Sequence, residues 1–165
     1  MGSIERKQRL DYRNPMGYKV DYIVPQRVMV TYLYGYIEAD DYNAIQERSF
    51  GLMDAGVAPI HTISVVDPHI RYARDLKTLV SMMKGLDRLH EKAGWLIQVS
   101  DNSMHRFISA WALQVVYKNM RFNTLDSFEA ALRFLHDRDS TLADMDIPAL
   151  LADYAAWKPV VDERS

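Results

Sequence analysis

From residue 18 to residue 142, short runs of Val, Ile and Tyr alternate with stretches in which apolar residues recur at helical spacing. YKVDYIVP at 18–25 and RVMVTYLYGYI at 27–37 have strand composition, and Pro25 with Gln26 between them predicts a β-hairpin. In the second run Val28, Val30, Tyr32, Tyr34 and Tyr36 share one face, and Met29, Thr31, Leu33, Gly35 and Ile37 share the other. Both faces carry bulky side chains, so both predict cover.

EADDYNAIQERSFGLMDAG at 38–56 predicts a helix capped by Asp40 or Asp41, with Tyr42, Ile45, Ser49, Leu52 and Met53 near one face and Gly56 as its stop. HTISVVD at 61–67 follows Pro59 and has the β-branched composition of a buried central strand. Leu76, Leu79, Val80, Met83 and Leu86 mark the next helix, which extends towards Leu89 and Ala93. GWLIQVS at 94–100 is a further strand. Asp101, Asn102 or Ser103 can cap the helix after it, which carries Phe107, Ile108, Trp111, Ala112, Val115 and Val116 inward.

The stretch RFNTLDSFEAALRFL at 121–135 closes the pattern. MRF at 120–122 predicts the last strand, and Phe128, Ala131, Leu132 and Leu135 fall along one side of a helix, leaving Glu129, Arg133 and His136 to water. Thr124 or Asp126 can cap it, and Asp126 with Glu129 has capping-box spacing. The predicted order is β-β-α-β-α-β-α-β-α, an α/β fold with a mixed, mostly parallel sheet and helices packed on it. Residues 1–17 form an N-terminal extension of charged and polar composition, residues 18–142 the domain, and residues 143–165 a C-terminal helical tail. In that tail Ile147, Leu150, Leu151, Tyr154 and Trp157 make an apolar stripe, with Pro148 suited to the first turn. The stripe must be covered by this domain, by a sister subunit or by another protein.

Composition narrows the function classes. The 165 residues are 48% hydrophobic and 25% charged, which suits one core and leaves little room for two. A net charge of −2 supplies no electrostatic footprint for nucleic acid or an anionic membrane. No run approaches the ~18 apolar residues of a membrane span, and MGSIERKQRL lacks a signal peptide's apolar centre, so a cytoplasmic protein is expected. Zero cysteines exclude disulfides, thiolate nucleophiles and cysteine-held metal centres. Isolated glycines, with neither GxGxxG nor a Walker-type loop, exclude nucleotide binding by those motifs.

Two segments could carry chemistry. Asp67, Pro68 and His69 follow the central strand, where open α/β sheets place ligands, and Asp67 orienting His69 would make an acid–base pair; Asp-Pro is equally a plain turn signal. SDNSMHR at 100–106 holds Asp101, Ser103 and His105, but triads are assembled from separate elements, and capping accounts for Asp101, Asn102 and Ser103. His61, His69, His90, His105 and His136 show no ligand spacing, so no metal or other cofactor is expected, and these histidines read by default as surface or strand-end residues. Tyr12, Tyr18, Tyr22, Tyr32, Tyr34 and Tyr36, like Met82 and Met83, read first as packing or contact surface.

The order of elements, and the phrases YGYIEADDYNAI, HTISVVD, GWLIQVSDN and RFNTLDSFEAALRFL, resemble the STAS-like domains related to bacterial anti-sigma-factor antagonists over residues 18–142. The resemblance implies a non-catalytic regulatory or scaffold domain that binds another protein or itself as a homo-oligomer. It places the contact at the start of the second helix, on His69, Arg71, Arg74 and Asp75; outside the resemblance, the apolar stripe of the tail, Ile147, Leu150, Leu151, Tyr154 and Trp157, offers a second contact. Signalling members carry a phosphorylatable Ser or Thr after the central strand, whereas none occurs here from Val65 until Thr78. The alternative is a small apolar or acyl ligand between sheet and helices, as in some STAS-like relatives, lined by the tyrosines and methionines.

Overall fold

A computed structural model of the chain describes residues 17–72, 90–103, 106 and 120–160. The strands are β1 (Gly17–Val24), β2 (Val28–Tyr34), β3 (Tyr36–Ile37), β4 (Ile60–Val66), β5 (Arg71–Tyr72), β6 (Ala93–Val99) and β7 (Arg121–Leu125). The helices are α1 (Ala39–Ala55), α2 (Phe128–Arg138) and α3 (Ile147–Trp157), with a single 3-10 turn at Ser140–Leu142. β1, β2, β4, β6 and β7 form one sheet in that order, antiparallel between β1 and β2 and parallel elsewhere. The expected hairpin and central strand are both present. The helices expected over 75–86 and after Ser103 fall almost wholly outside the described residues.

Alternation along the strands sorts the side chains into two layers. Val28, Val30 and Tyr32 of β2, Ile63 and Val65 of β4, and Ile97 and Val99 of β6 meet Phe128, Ala131, Leu132 and Leu135 of α2. The opposite face joins Met29 and Ile60 to Met53 of α1, and there the Tyr22 hydroxyl donates to the Leu52 carbonyl at 2.6 Å. β2 is buried along nearly its whole length because both layers use it.

Several boundaries differ from the sequence expectation for local reasons. Gly35, at φ 68°, ends β2 in a left-handed kink that side chains disfavour, so Tyr36 and Ile37 leave the main sheet and pair with Arg71 and Tyr72. The cap of α1 lies two residues before Asp40, the nearer of its expected caps: Glu38 is the N-cap, and Asp41 closes a capping box with it. The last strand runs to Leu125 rather than ending at Phe122, because Asn123, Thr124 and Leu125 pair with Ile97, Gln98 and Val99. That uses Thr124 in the ladder. Ser127 then caps α2 by accepting from the Ala130 N–H, in place of Thr124 or Asp126.

The tail stripe is covered by this same chain. Ile147, Leu150, Leu151, Tyr154 and Trp157 pack half-buried on the α2 side of the core. Tyr154 stacks on Phe128 with ring centroids 3.8 Å apart, and Lys19 of β1 lies over the Trp157 ring while donating to the Trp157 carbonyl at 2.6 Å. The membrane expectation has a limited counterpart: among the described residues no helix is long and apolar enough to cross a membrane.

Candidate functional site

The C-terminal ends of the parallel strands gather the polar groups of most interest. Asp67 follows β4 directly and is 6% exposed. Its Oδ2 accepts from the Tyr32 hydroxyl at 2.8 Å, and its Oδ1 accepts from the backbone N–H of His69 at 2.9 Å. No positively charged side chain forms an ion pair with it among the described residues. Burial, then the hydrogen bond to Asp67 and the Asp67 charge, push the Tyr32 hydroxyl well above the ordinary tyrosine range, so it stays a donor. Tyr154 is pushed up to about 12, first by burial and then by the charge of Asp67.

This geometry decides between the two roles open to Asp67. The carboxylate holds the main chain of His69 in an Asx-type turn, so it does not orient the imidazole as a base. Pro68 and His69 project into solvent on that turn, and β5 follows immediately with Arg71 in its backbone ladder. Arg74 and Asp75 lie outside the described residues, as do Thr78, Met82, Met83 and His105. Tyr32 as the partner of Asp67 was readable in principle. It shares its face with Val28 and Val30, while Asp67 has the parity of Ile63 and Val65 on the neighbouring strand.

On the next strand Ser100 is buried, its Oγ accepts from the Asn102 N–H, and its carbonyl accepts from Arg106 Nη1 at 2.6 Å. Asp101, Asn102 and Ser103 are exposed. The Asn102 carbonyl accepts from the Arg106 N–H, which is the backbone pattern of a helix start and agrees with the capping reading.

A second polar cluster occupies the opposite end of the sheet, where His61 stands at the start of β4 as a strand-end residue but is buried. His61 is 1% exposed, with Nε2 at 2.9 Å from Asp139 Oδ2 and Nδ1 accepting from the Trp95 N–H at 2.9 Å. Its parity with Ile63 and Val65 was the overlooked signal. Asp139 also pairs with Arg27 at 3.1 Å and accepts from the Thr141 N–H and hydroxyl. Burial works to raise the Asp139 carboxyl, yet the hydrogen bonds from Thr141 and His61 outweigh it and hold the group well below the usual carboxylate range. Both ring nitrogens of His61 are occupied, so the pair has no free nitrogen with which to act on a substrate.

Little else is arranged for catalysis or ligation among the described residues. They contain no group of three His, Asp or Glu placed to hold a metal. An open cleft of about 530 Å³ lies between the end of α2 and the start of α3, lined by Arg133, His136, Asp137, Met145 and residues 146–148. His136 is engaged by Asp137 and the Ala143 carbonyl, and Arg133 by Glu129. Between the sheet and α2 the space is filled, since Val30, Ile63, Ile97, Leu132 and Leu135 are at most 1% exposed. An apolar or acyl ligand would have to enter elsewhere.

Replacing Tyr32 by Phe is expected to leave one oxygen of the buried Asp67 without its donor and to cost roughly 1–3 kcal/mol, read as a lower denaturant midpoint at unchanged slope. An unchanged midpoint would show that the hydroxyl is not what satisfies Asp67.

The chain thus forms an α/β domain with a five-stranded mixed sheet, layered on one face by α1 and on the other by α2 and α3. Comparison with protein-family models, with curated proteins and with solved structures finds no match.

Proposed function

We propose that this chain is a non-catalytic, STAS-like regulatory or scaffold domain that acts by binding another protein at the segment after its central strand. The observation that carries the reading is the turn at residues 67–70: a buried carboxylate fixes the backbone from below while Pro68 and His69 face solvent. A contact loop held in one conformation loses little entropy on docking. The order of the elements supports the same reading through the resemblance, and His69, Arg71, Arg74 and Asp75 supply the polar contacts. With no Ser or Thr from Val65 until Thr78, docking on this segment proceeds without the usual phosphorylation switch.

The test is affinity capture with the wild-type chain and with an Arg71→Ala/Arg74→Ala variant, followed by binding measurements on the purified partner. The expected result is roughly a tenfold or greater loss of affinity, the equivalent of about 1.4 kcal/mol, with the unfolding midpoint unchanged. Equal affinity for the variant overturns this surface. Recovery of a stoichiometric apolar small molecule in native mass spectra, with no protein partner, would favour the ligand alternative.

A further inference from the structure

The hydrogen bond between His61 and the backbone of β6 sits at an irregularity in the sheet. Between β4 and β6, Ile60 pairs with Ala93 but Thr62 pairs with Leu96, so β6 carries one extra residue against β4. At this bulge the Trp95 N–H is received by the ring of His61 instead of by a backbone carbonyl. The same ring reaches the end of α2 through Asp139, which in turn caps the 3-10 turn leading to α3. One imidazole therefore joins β4, β6 and the start of the C-terminal segment.

We propose that His61 is a proton-sensitive keystone: in its neutral form it closes the β6 bulge onto the end of α2, and taking up a proton opens that junction. The chemistry follows from the donors around the ring. Nδ1 accepts from Trp95 and Nε2 carries the hydrogen directed at Asp139, so a second proton has only Nδ1 to occupy. There it would face the Trp95 N–H at 2.9 Å, donor against donor. The ring lies close against Gly94, where a Cβ would stand 2.6 Å from Nδ1.

The surrounding charges come from three elements. Asp139 at the end of α2 favours the imidazolium, while Arg27 before β2 and Arg121 of β7 oppose it. Burial is the largest influence, and the net effect lowers the His61 pKa below the ordinary value of about 6.5. The opened or unfolded chain consequently binds the proton first. The stabilisation is complete above pH about 6.5 and is lost as the pH falls from there towards the depressed value. The Asp139 carboxyl, also lowered, acts in the same direction only near pH 4 and below, so of these two groups the histidine alone acts as the pH first falls below about 6.5.

The test is nitrogen-15 NMR of the full chain between pH 8 and pH 5, following the His61 ring nitrogens and the exchange protection of the Trp95 amide. At pH 7.5 the ring should be the Nε2–H tautomer and the amide protected; protection should then fall as the pH drops below about 6.5, by at most about tenfold per pH unit, the limit for one proton. In His61→Asn the side-chain oxygen can accept from Trp95 but takes up no proton, so its protection should be flat with pH. Constant protection in the wild type, an Nδ1–H tautomer, or the wild-type pH profile persisting in the variant overturns the proposal. If the variant does not fold, the wild-type tautomer and protection profile decide alone.

Discussion

A chain ending at Leu142 is expected to lose roughly 5 kcal/mol of stability. Full burial of a large apolar side chain contributes about 1.5–3 kcal/mol, and α3 sets Ile147, Leu150, Leu151, Tyr154 and Trp157 half-buried on the core. The loss is of the order of the whole stability of a domain this size, about 5–15 kcal/mol. It also strips Phe128 of the stacked Tyr154 ring and uncovers the side of the core that holds Tyr32 and Asp67. The melting midpoint should fall by roughly 10–20 °C, with aggregation, when circular dichroism and light scattering are recorded beside the full chain. A truncated chain that melts with the full one would remove α3 from the core. A full-length dimer giving a well-folded monomer on truncation would make α3 an assembly element instead.

Gly94→Ala is expected to cost about 3 kcal/mol, a large effect for one methyl group. The new carbon would meet His61 Nδ1 at 2.6 Å, His61 Cε1 at 2.8 Å and the Ile60 carbonyl oxygen at 3.2 Å. The ring would have to move, and it is tied on one side to Trp95 and on the other to Asp139. Relief would thus break a buried hydrogen bond as well as strain the packing. Gly51→Ala is the matched control: it lies on the exposed face of α1 with open space around it and should be neutral or stabilising by up to about 1 kcal/mol. Chemical denaturation of both variants checks the pair. Equal midpoints would show that β6 can yield at Gly94 and that the His61 junction is not tightly held.

The legible part of the fold follows from short-range patterning. The alternation in 27–37 assigned the two faces of β2 correctly, because period two is imposed by the strand backbone itself. The stripe in 147–157 gave the helical segment that became α3, with Pro148 in its first turn, because helical spacing and the proline are local signals. The caps were harder to place. Thr124 and Asp126 are as competent as Ser127 in isolation, and the choice fell to Ser127 because pairing with β6 extended β7 through Leu125.

The candidate site shows the same division. That the segment after β4 makes a turn was readable from Asp67 and Pro68, and that His69 projects from it was expected. The hydrogen bond from Tyr32 was not read from the sequence, since it joins residues 35 positions apart. Nor was the burial of His61, whose polar ring is tolerable inside only because Trp95 and Asp139, both distant in the chain, satisfy its two nitrogens.

By itself the sequence determined the strands of the main sheet and the helices α1, α2 and α3, which face of β2 and of α2 packs on the core, and which chemistries the absence of cysteine and phosphate-loop motifs excludes. Those properties depend on residue type and spacing within a few turns of chain. The tertiary structure alone decided that the tail covers its own domain, that Asp67 supports a turn instead of activating a histidine, and that His61 closes a bulge. Each of these depends on which distant groups reach hydrogen-bonding or van der Waals distance, and that is set by the order and register of strands across the sheet.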